Sequence, residues 1–310
     1  MDFYGINPAV LIASLMVASV PIMLAAIGEL VVEKAGVLNL GVEGMMIMGA
    51  ICGFITAVHT GSSWAGFLGG AAGAMAISLI FALLTQVFLA NQVATGLAMT
   101  LFGLGLSSLM GQGYNGIKPP AMADVPLGPL EDIPFIGRAF LSHDAMVYVS
   151  ILIVAGVWAV LKYSRAGLIL RAVGENHDAA HALGYKVRRI RVLAILFGAA
   201  MAGLGGAYVS LVRVPQWTDG ITAGAGWIAL AIVVFASWKP WRVLIGAYLF
   251  GGITVLQLNL QAAGARIPVE YLSMSPYLIT ILVLVIMSSG KGRAGLNAPA
   301  ALGQNFHASR

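Results

Sequence analysis

Long apolar runs separated by short polar intervals make up most of the chain. A helix that crosses a hydrocarbon core needs roughly 20 mostly apolar residues. Runs of that kind lie at 9–30, 36–58, 64–90, 92–110, 145–163, 191–212, 226–238, 241–260 and 271–289. The pattern predicts an all-α fold, a polytopic transmembrane helical bundle with about nine membrane segments and a range of eight to ten. The range reflects two segments: 226–238 is short for a crossing, and 36–58 carries Asn39 and Glu43 and is open as spanning, broken or re-entrant. No linker composition interrupts residues 1–290, which read as a single transmembrane domain. The tail 291–310 is polar and rich in small residues, and is expected to be flexible.

The polar interruptions are as informative as the runs. The stretch from Arg171 to Arg191, RAVGENHDAAHALGYKVRRIR, is basic and sits between two apolar segments. With the loop 162–191 placed inside, thirteen of the 17 basic residues fall on that side and Lys118, Arg138, Arg213 and Arg266 on the other. The excess of Lys and Arg on cytoplasmic loops then puts the N-terminus outside and the C-terminus in the cytoplasm; an even number of helices would reverse the N-terminus. The outer loop 111–144 contains Pro119, Pro120, Pro126, Pro129 and Pro134 and is expected to be irregular. Small residues four apart, Gly66 and Gly70, Gly69 and Gly73, and Ala202 and Gly206, suit close helix packing in lipid.

Composition narrows the class. Only 9% of the 310 residues are charged and 59% are hydrophobic, against about 25% charged in a soluble domain, so lipid is the natural solvent. The net charge of +5 does not indicate nucleic acid, because the basic residues gather in loops on one side. The first basic residue, Lys34, follows the first apolar run, so that run reads as a retained anchor and not as a signal peptide. Cys52 is the single cysteine, which removes intrachain disulfides and cysteine metal clusters and reads as a buried, inert thiol. His177 and His181 stand four apart, but two ligands make a poor metal site, so no metal is expected. The triplet Gly290–Lys291–Gly292 lacks the spacing and the Ser/Thr of a phosphate loop, and there is no GxSxG or HExxH. Neither catalysis nor a cofactor is expected.

Three groups of residues remain as candidates. In the basic loop, Glu175 and Asp178 accompany a small apolar strip of Ala179, Ala180, Ala182 and Leu183, and Gly184 can end a short helix. Two readings are open there: an element that docks into a groove of a partner, or a solvated loop that orients the protein by charge. In 36–58, Asn39 and Glu43 share a helix face, and Gly36, Gly41, Gly44 and Gly49 permit a broken helix beside a substrate path. Glu43 is either structural and gating or in direct contact with substrate. Glu29, Glu33 and Lys34 read as an interfacial ion cluster. The remaining polar residues of the spans, among them Gln86, Asn91, Gln92, Thr95, Thr100, Gln257, Asn259 and Gln261, suit a neutral polyol or nucleobase, or ordinary interhelical hydrogen bonds. Trp217, Trp227, Trp238 and Trp241 fit an aromatic belt, with base or sugar stacking by Trp227 as a second reading. The candidate substrate path is therefore Asn39, Glu43, Asn91, Gln92, Thr95 and Trp227.

The segment ENHDAAHALG resembles the EAA loop of ABC importer permeases, with Asp178–Ala179–Ala180 and Gly184 at the spacing of that motif. AGVLNLGVEGMMIMGA (35–50), RAVGENHDAAHALGYKVRRIRVLA (171–194) and GWIALAIVVFASWKP (226–240) resemble permeases for nucleosides and simple sugars, in the branch that includes branched-chain amino acid and ribose-type permeases. The likeness runs from about 20 to 290. Asp178 replaces the usual Glu and keeps its charge; the Ile-x-Leu-Pro ending of the longer consensus is missing. The resemblance implies a coupling helix made of Arg171, Gly174, Glu175, Asp178, Ala179, Ala180, Leu183 and Gly184, docked in a cytoplasmic ABC ATPase that binds the ATP. It also implies alternating access, an extracytoplasmic solute-binding protein, a second permease subunit (a heterodimer in nucleoside-type systems) and a bacterial-type inner membrane. The alternatives are a self-sufficient secondary transporter or channel for a small polar solute, and a structural scaffold. Glu43 is the one good intramembrane acid for ion coupling, and no internal repeat is evident.

Overall fold

The computed structural model describes residues 8–126, 128, 133–262, 268, 271, 274, 278, 281, 282, 285 and 298–307. The ninth apolar run, 271–289, falls mostly outside the described residues, as do 291–297 of the tail. Seven helical segments are long and apolar enough to cross a membrane, and one shorter apolar helix accompanies them among the described residues. The fold is an all-α polytopic bundle.

Helix α1 (Pro8–Lys34), α2 (Val42–Thr60), α3 (Ser63–Ala82), α4 (Gln92–Gly111) and α5 (Ala145–Tyr163) follow in order. Helices α6 (Arg165–Glu175) and α7 (His177–Ala182) form the polar connection to α8 (Val187–Tyr208), and α9 (Ala225–Phe235) and α10 (Pro240–Ala262) complete the described bundle. Wider π-helical turns extend α3 through Leu83–Val87 and α8 through Val209–Arg213. Each boundary has a local cause. Ser62, Asn91, Asp144, Ser164 and Asn176 accept backbone N–H bonds at the starts of α3, α4, α5, α6 and α7, satisfying donors that a helix start leaves orphaned. Gly61 ends α2 in the left-handed region at φ +68, where glycine carries no side-chain penalty.

Glycine contacts hold the centre. Gly49 and Gly206 of α2 and α8 leave no room for a side chain against Gly203 and Met46 respectively, and Gly28 faces Gly198 across α1 and α8. Gly70 packs beside Gly49 and Ala207, so α3 joins the same contact, while Gly69 and Gly73 meet Thr56 and Cys52 of α2. Hydrocarbon gives no hydrophobic drive between helices, so this close backbone approach supplies packing that larger residues would prevent. Cys52 is only half-buried at that contact.

Of the readings open for 36–58 the structure has the broken one: 35–41 is irregular and the helix begins only at Val42, so Asn39 lies outside it and does not share a helix face with Glu43. The basic loop holds two helices, and the first, α6, is amphipathic along its whole length. The structure buries two members of the expected interfacial ion cluster, Glu29 and Glu33. Glu29 accepts from the Asn39 N–H at 3.2 Å and Glu33 accepts from the Trp238 indole. The backbone turns sharply after α9, with Ser237 and Trp238 at φ +48 and +55, and this carries the Trp238 ring to Glu33.

The bundle has two distinct ends. At one, Ser63 donates to the Pro120 carbonyl, Tyr114 pairs with His59, Tyr208 donates to Asp144, and the described residues of the proline-rich loop are mostly irregular, with an Asp124–Asp144 bridge and a helical turn at Gly137–Leu141. At the other, the segments that follow α1 and α3 meet the starts of α4 and α8 and residues 298–307. The tail expected to be flexible has these ten residues folded back on the bundle.

Candidate functional site

The broken segment 35–41 climbs along α4. Leu38 donates its N–H to Gln92 Oε1 at 2.8 Å, Thr100 Oγ1 donates to the Leu40 carbonyl at 3.1 Å, and Gly96 presses on Leu40 and Gly41. Gly41 N–H bonds back to Asn39 Oδ1 at 2.9 Å, closing the turn that starts α2. Gly44 rests on Met99 and Thr100, so Glu43 stands roughly 11 Å along α4 from Gln92 at 1.5 Å rise per residue.

Glu43 reaches α9 there. Its Oε1 accepts from Thr222 Oγ1 at 2.6 Å and from the Gly224 N–H at 3.0 Å, and its Oε2 accepts from the Gly226 N–H at 2.7 Å. A carboxylate at the start of a helix meets both orphaned donors and the positive end of the helix dipole. Helix α9 has 11 residues, about 16 Å of helix, so it covers only part of the roughly 30 Å hydrocarbon thickness. Residues 214–224 before it are irregular. Two interrupted segments, 35–41 with α2 and 214–224 with α9, thus meet at one buried carboxylate. Irregular backbone at this depth is tolerated where protein or a cavity covers it. Thr222, Gly224 and Gly226 were not singled out in the sequence; the run TAGAG just before an apolar helix was their only local signal.

The six candidates for a substrate path have different surroundings. Asn39 and Glu43 are buried and hydrogen-bonded as described. Asn91 caps α4 by accepting from the Ala94 N–H, and Gln92 is buried and bridges Leu38 to Gln304 and Asn305. Thr95 lines an open pocket of about 450 Å³ with Ile80, Leu84, Ala94, Ala98, Met99 and Phe102. Trp227 is 37% exposed. Thr95 and Trp227 each neighbour a glycine, Gly96 or Gly226, that presses on the Leu40–Glu43 segment.

At the basic end, α6 and α7 divide the coupling candidates by exposure. Arg171, Glu175, Asp178, Ala179 and Gly184 are exposed, and Leu183 is exposed by 77%. Gly174 and Ala180 are buried. Gly174 has no space for a side chain because the Lys34 carbonyl lies against it, and Ala180 packs with Val173, Val187 and Phe306. Gly184 has φ +89 and ends the turn after α7 with its N–H on the His181 carbonyl. The result is a short helix with an exposed apolar tip at Leu183, fixed from beneath.

Arg191 does the fixing. It is fully buried in the first turns of α8; Nε donates to the Ala35 carbonyl at 3.2 Å, Nη1 to the Gln304 carbonyl at 2.8 Å, and Nη2 lies 3.3 Å from His177 Nδ1. The planar five-donor fork suits three acceptors in different directions. His177 Nδ1 must accept from Arg191, which leaves Nε2 to carry the proton toward Asp178, 3.6 Å away. Burial, reinforced by the Arg191 charge, holds the His177 pKa below its ordinary value. Among the described residues no group of three or more His, Cys, Asp or Glu is placed to hold a metal ion.

Residues 11–287 match the family of permease components of branched-chain amino acid transport systems. The chain is 40% identical to the Haloferax volcanii permease protein TsgC13, provisionally named for a glucose ABC transporter, over 94% of this chain and 95% of that one. It is 31% identical to the guanosine ABC transporter permease protein NupQ of Bacillus subtilis, covering 92% and 93% of the two chains. It is also 31% identical to the nucleoside ABC transporter permease protein NupC of Lactococcus lactis, covering 97% and 98%. Haloferax volcanii and Bacillus subtilis each carry a second, more distant relative at 25% identity, the glucose permease protein TsgB13 and the guanosine permease protein NupP. The chain belongs to this permease family.

Proposed function

We propose that this ABC transporter permease forms one half of the translocation path of an importer for a nucleoside or simple sugar, driven by a separate cytoplasmic ATPase. The observation that carries the reading is the α6–α7 connection, a rigid platform with an exposed tip, in a chain whose relatives are named as sugar and nucleoside permeases. In this reading Leu183 and the rim of Arg171, Glu175, Asp178, Ala179 and Gly184 enter a groove of the ATPase. Gly174 and Ala180 act from below by keeping the platform thin and packed. An external binding protein delivers solute to the opposite end, and ATP-driven closure switches the bundle between outward and inward access. A motor shifts that equilibrium only through contacts that differ between the two states, which is why a stiff connection matters.

The second subunit proposed is a different permease chain, by analogy with the two differently named permease proteins of Bacillus subtilis and Haloferax volcanii. The path is proposed to run past the Glu43 junction, with Thr95 and Trp227 closest to the solute and Asn39, Glu43, Asn91 and Gln92 holding its wall. The membrane is the bacterial-type inner membrane. The test is co-purification of the detergent-solubilised chain with its candidate ATPase, for wild type, Leu183→Glu and Glu175→Arg. We expect at least about tenfold weaker capture (~1.4 kcal/mol) in correctly inserted variants. Unchanged capture would leave α7 as a solvated loop and favour a self-sufficient transporter.

A further inference from the structure

The inner end of the bundle is held together by ten residues that the transport reading does not use. Residues 298–307 run across four separate pieces of the chain. Ala301 N–H donates to the Gly174 carbonyl at 2.9 Å and Ala300 N–H points at Glu175 Oε2 at 3.4 Å, which ties the strap to the end of α6. Gly303 N–H donates to the Gly36 carbonyl at 3.2 Å, which ties it to the foot of the broken segment. Asn305 Nδ2 donates to the Leu89 carbonyl at 2.6 Å, and its Oδ1 accepts from Gln92 Nε2 at 3.2 Å, which ties it to the entrance of α4. Arg191 holds the Gln304 carbonyl from α8.

Apolar contacts finish the attachment. Phe306 is buried with Val173, Ala180 and Val187, and its ring stands edge-on to His177 and His181 at 5.4 and 5.2 Å. Ala301 is buried as well. A polar tail has every entropic reason to stay loose. This one gives up that freedom to contact α6, α7, 35–41 and α4 together. Gln92 then has a double office: the same side chain receives Leu38 N–H and donates to the strap. The line of contact from Leu183 to Glu43 therefore runs through α7, Phe306, Asn305, Gln92, Leu38 and Leu40.

We propose that residues 298–307 are a positioning strap that makes the α6–α7 platform, the segment 35–41 and the entrance of α4 move as one body, so that displacement at the platform reaches the Glu43 junction. The inference rests on the importer reading above, and its test has one arm that does not. Coupling energy travels through packed and hydrogen-bonded contacts only where both ends respond to the same two-state element. The strap touches the platform and the foot of the broken segment together, beside the direct contact of Gly174 with Lys34 and Gly36.

The test uses the full chain as wild type, Asn305→Ala and Asn305→Ala/Phe306→Ala. The first arm is hydrogen exchange on the purified chain. We expect exchange at 36–40 and at 173–176 to quicken together, by about tenfold or more, in both variants. Acceleration confined to 298–307 would overturn the proposal. The second arm reconstitutes the chain with its ATPase and binding protein in vesicles. For Asn305→Ala, which leaves the contacts beneath α7 in place, we expect ATPase capture within about twofold of wild type, a solute uptake rate lower by about tenfold, and more ATP hydrolysed per solute; a merely structural role would leave that ratio alone. Unchanged uptake would overturn the proposal, and so would faster uptake, which would make the strap a brake. Failure of the wild-type chain to capture any ATPase would sink the importer reading, while the exchange arm would still decide the strap. Phe306→Leu keeps the apolar plug, folds more readily and should show the smaller change in both arms.

Discussion

At Glu43 one carboxylate satisfies three donors from another segment. Glu43→Gln keeps the shape but offers one acceptor oxygen, and sets an amide NH₂ where an N–H points. Leaving a buried donor unpaired costs about 1–3 kcal/mol, so the variant should unfold at a lower temperature by that equivalent, with ATPase capture unaffected. Thr222→Val removes a single donor and should cost about 1 kcal/mol; thermal melts of the two variants side by side check the order. His177 gives the pH prediction. It is packed by Arg191, Asp178, His307 and the Phe306 ring, and burial and then Arg191 lower its pKa from 6.5. The folded state thus binds the proton less tightly than the unfolded chain, so its contribution is full above about pH 6.5 and is lost as pH falls toward the folded value. Exchange at 173–180, corrected for its chemical pH dependence, should quicken from about pH 7.5 to about 5.5, and His177→Gln should lack that step.

At the scale of elements, close backbone contact decides tolerance. Gly203 of α8 lies against Gly70, Ala71 and Ala74 of α3, whereas nothing lies within 4 Å of a side chain placed at Gly105 of α4. Gly203→Leu should therefore separate α2, α3 and α8 and cost about 3 kcal/mol or more, while Gly105→Leu should purify like wild type. Monodispersity in size-exclusion chromatography distinguishes them. The small-residue spacing of α3 and α8 made part of this contact readable along the chain, because glycine four apart marks a face. The break at 35–41 was readable only as a possibility, since glycines permit an interruption without requiring one. The non-helical backbone there is held by α4: Gly96 lies against Leu40 and Gly41, and Thr100 donates to the Leu40 carbonyl.

At the scale of the molecule, the two ends differ in chemistry. Leu183 and Lys118 lie at opposite ends of the bundle and both are exposed. In a Cys52→Ser background, Leu183→Cys should react with an impermeant thiol reagent only from the cytoplasmic face and Lys118→Cys only from the other. Labelling of both from one side would reject the sidedness. The chain's apolar periods, its low charge and the position of its basic loop determined by themselves that it is an all-α membrane bundle, where most helices begin and end, and which family it resembles, because hydrocarbon imposes length and composition locally on every crossing. Tertiary structure alone decided the partners of the polar residues. Glu43 with Thr222, Gln92 with Asn305, and Arg191 with Ala35 and Gln304 are separated by 113 residues or more in each case. A polar side chain in a membrane segment signals only that some donor or acceptor must be near. Which one it meets is settled when helices distant along the chain come together.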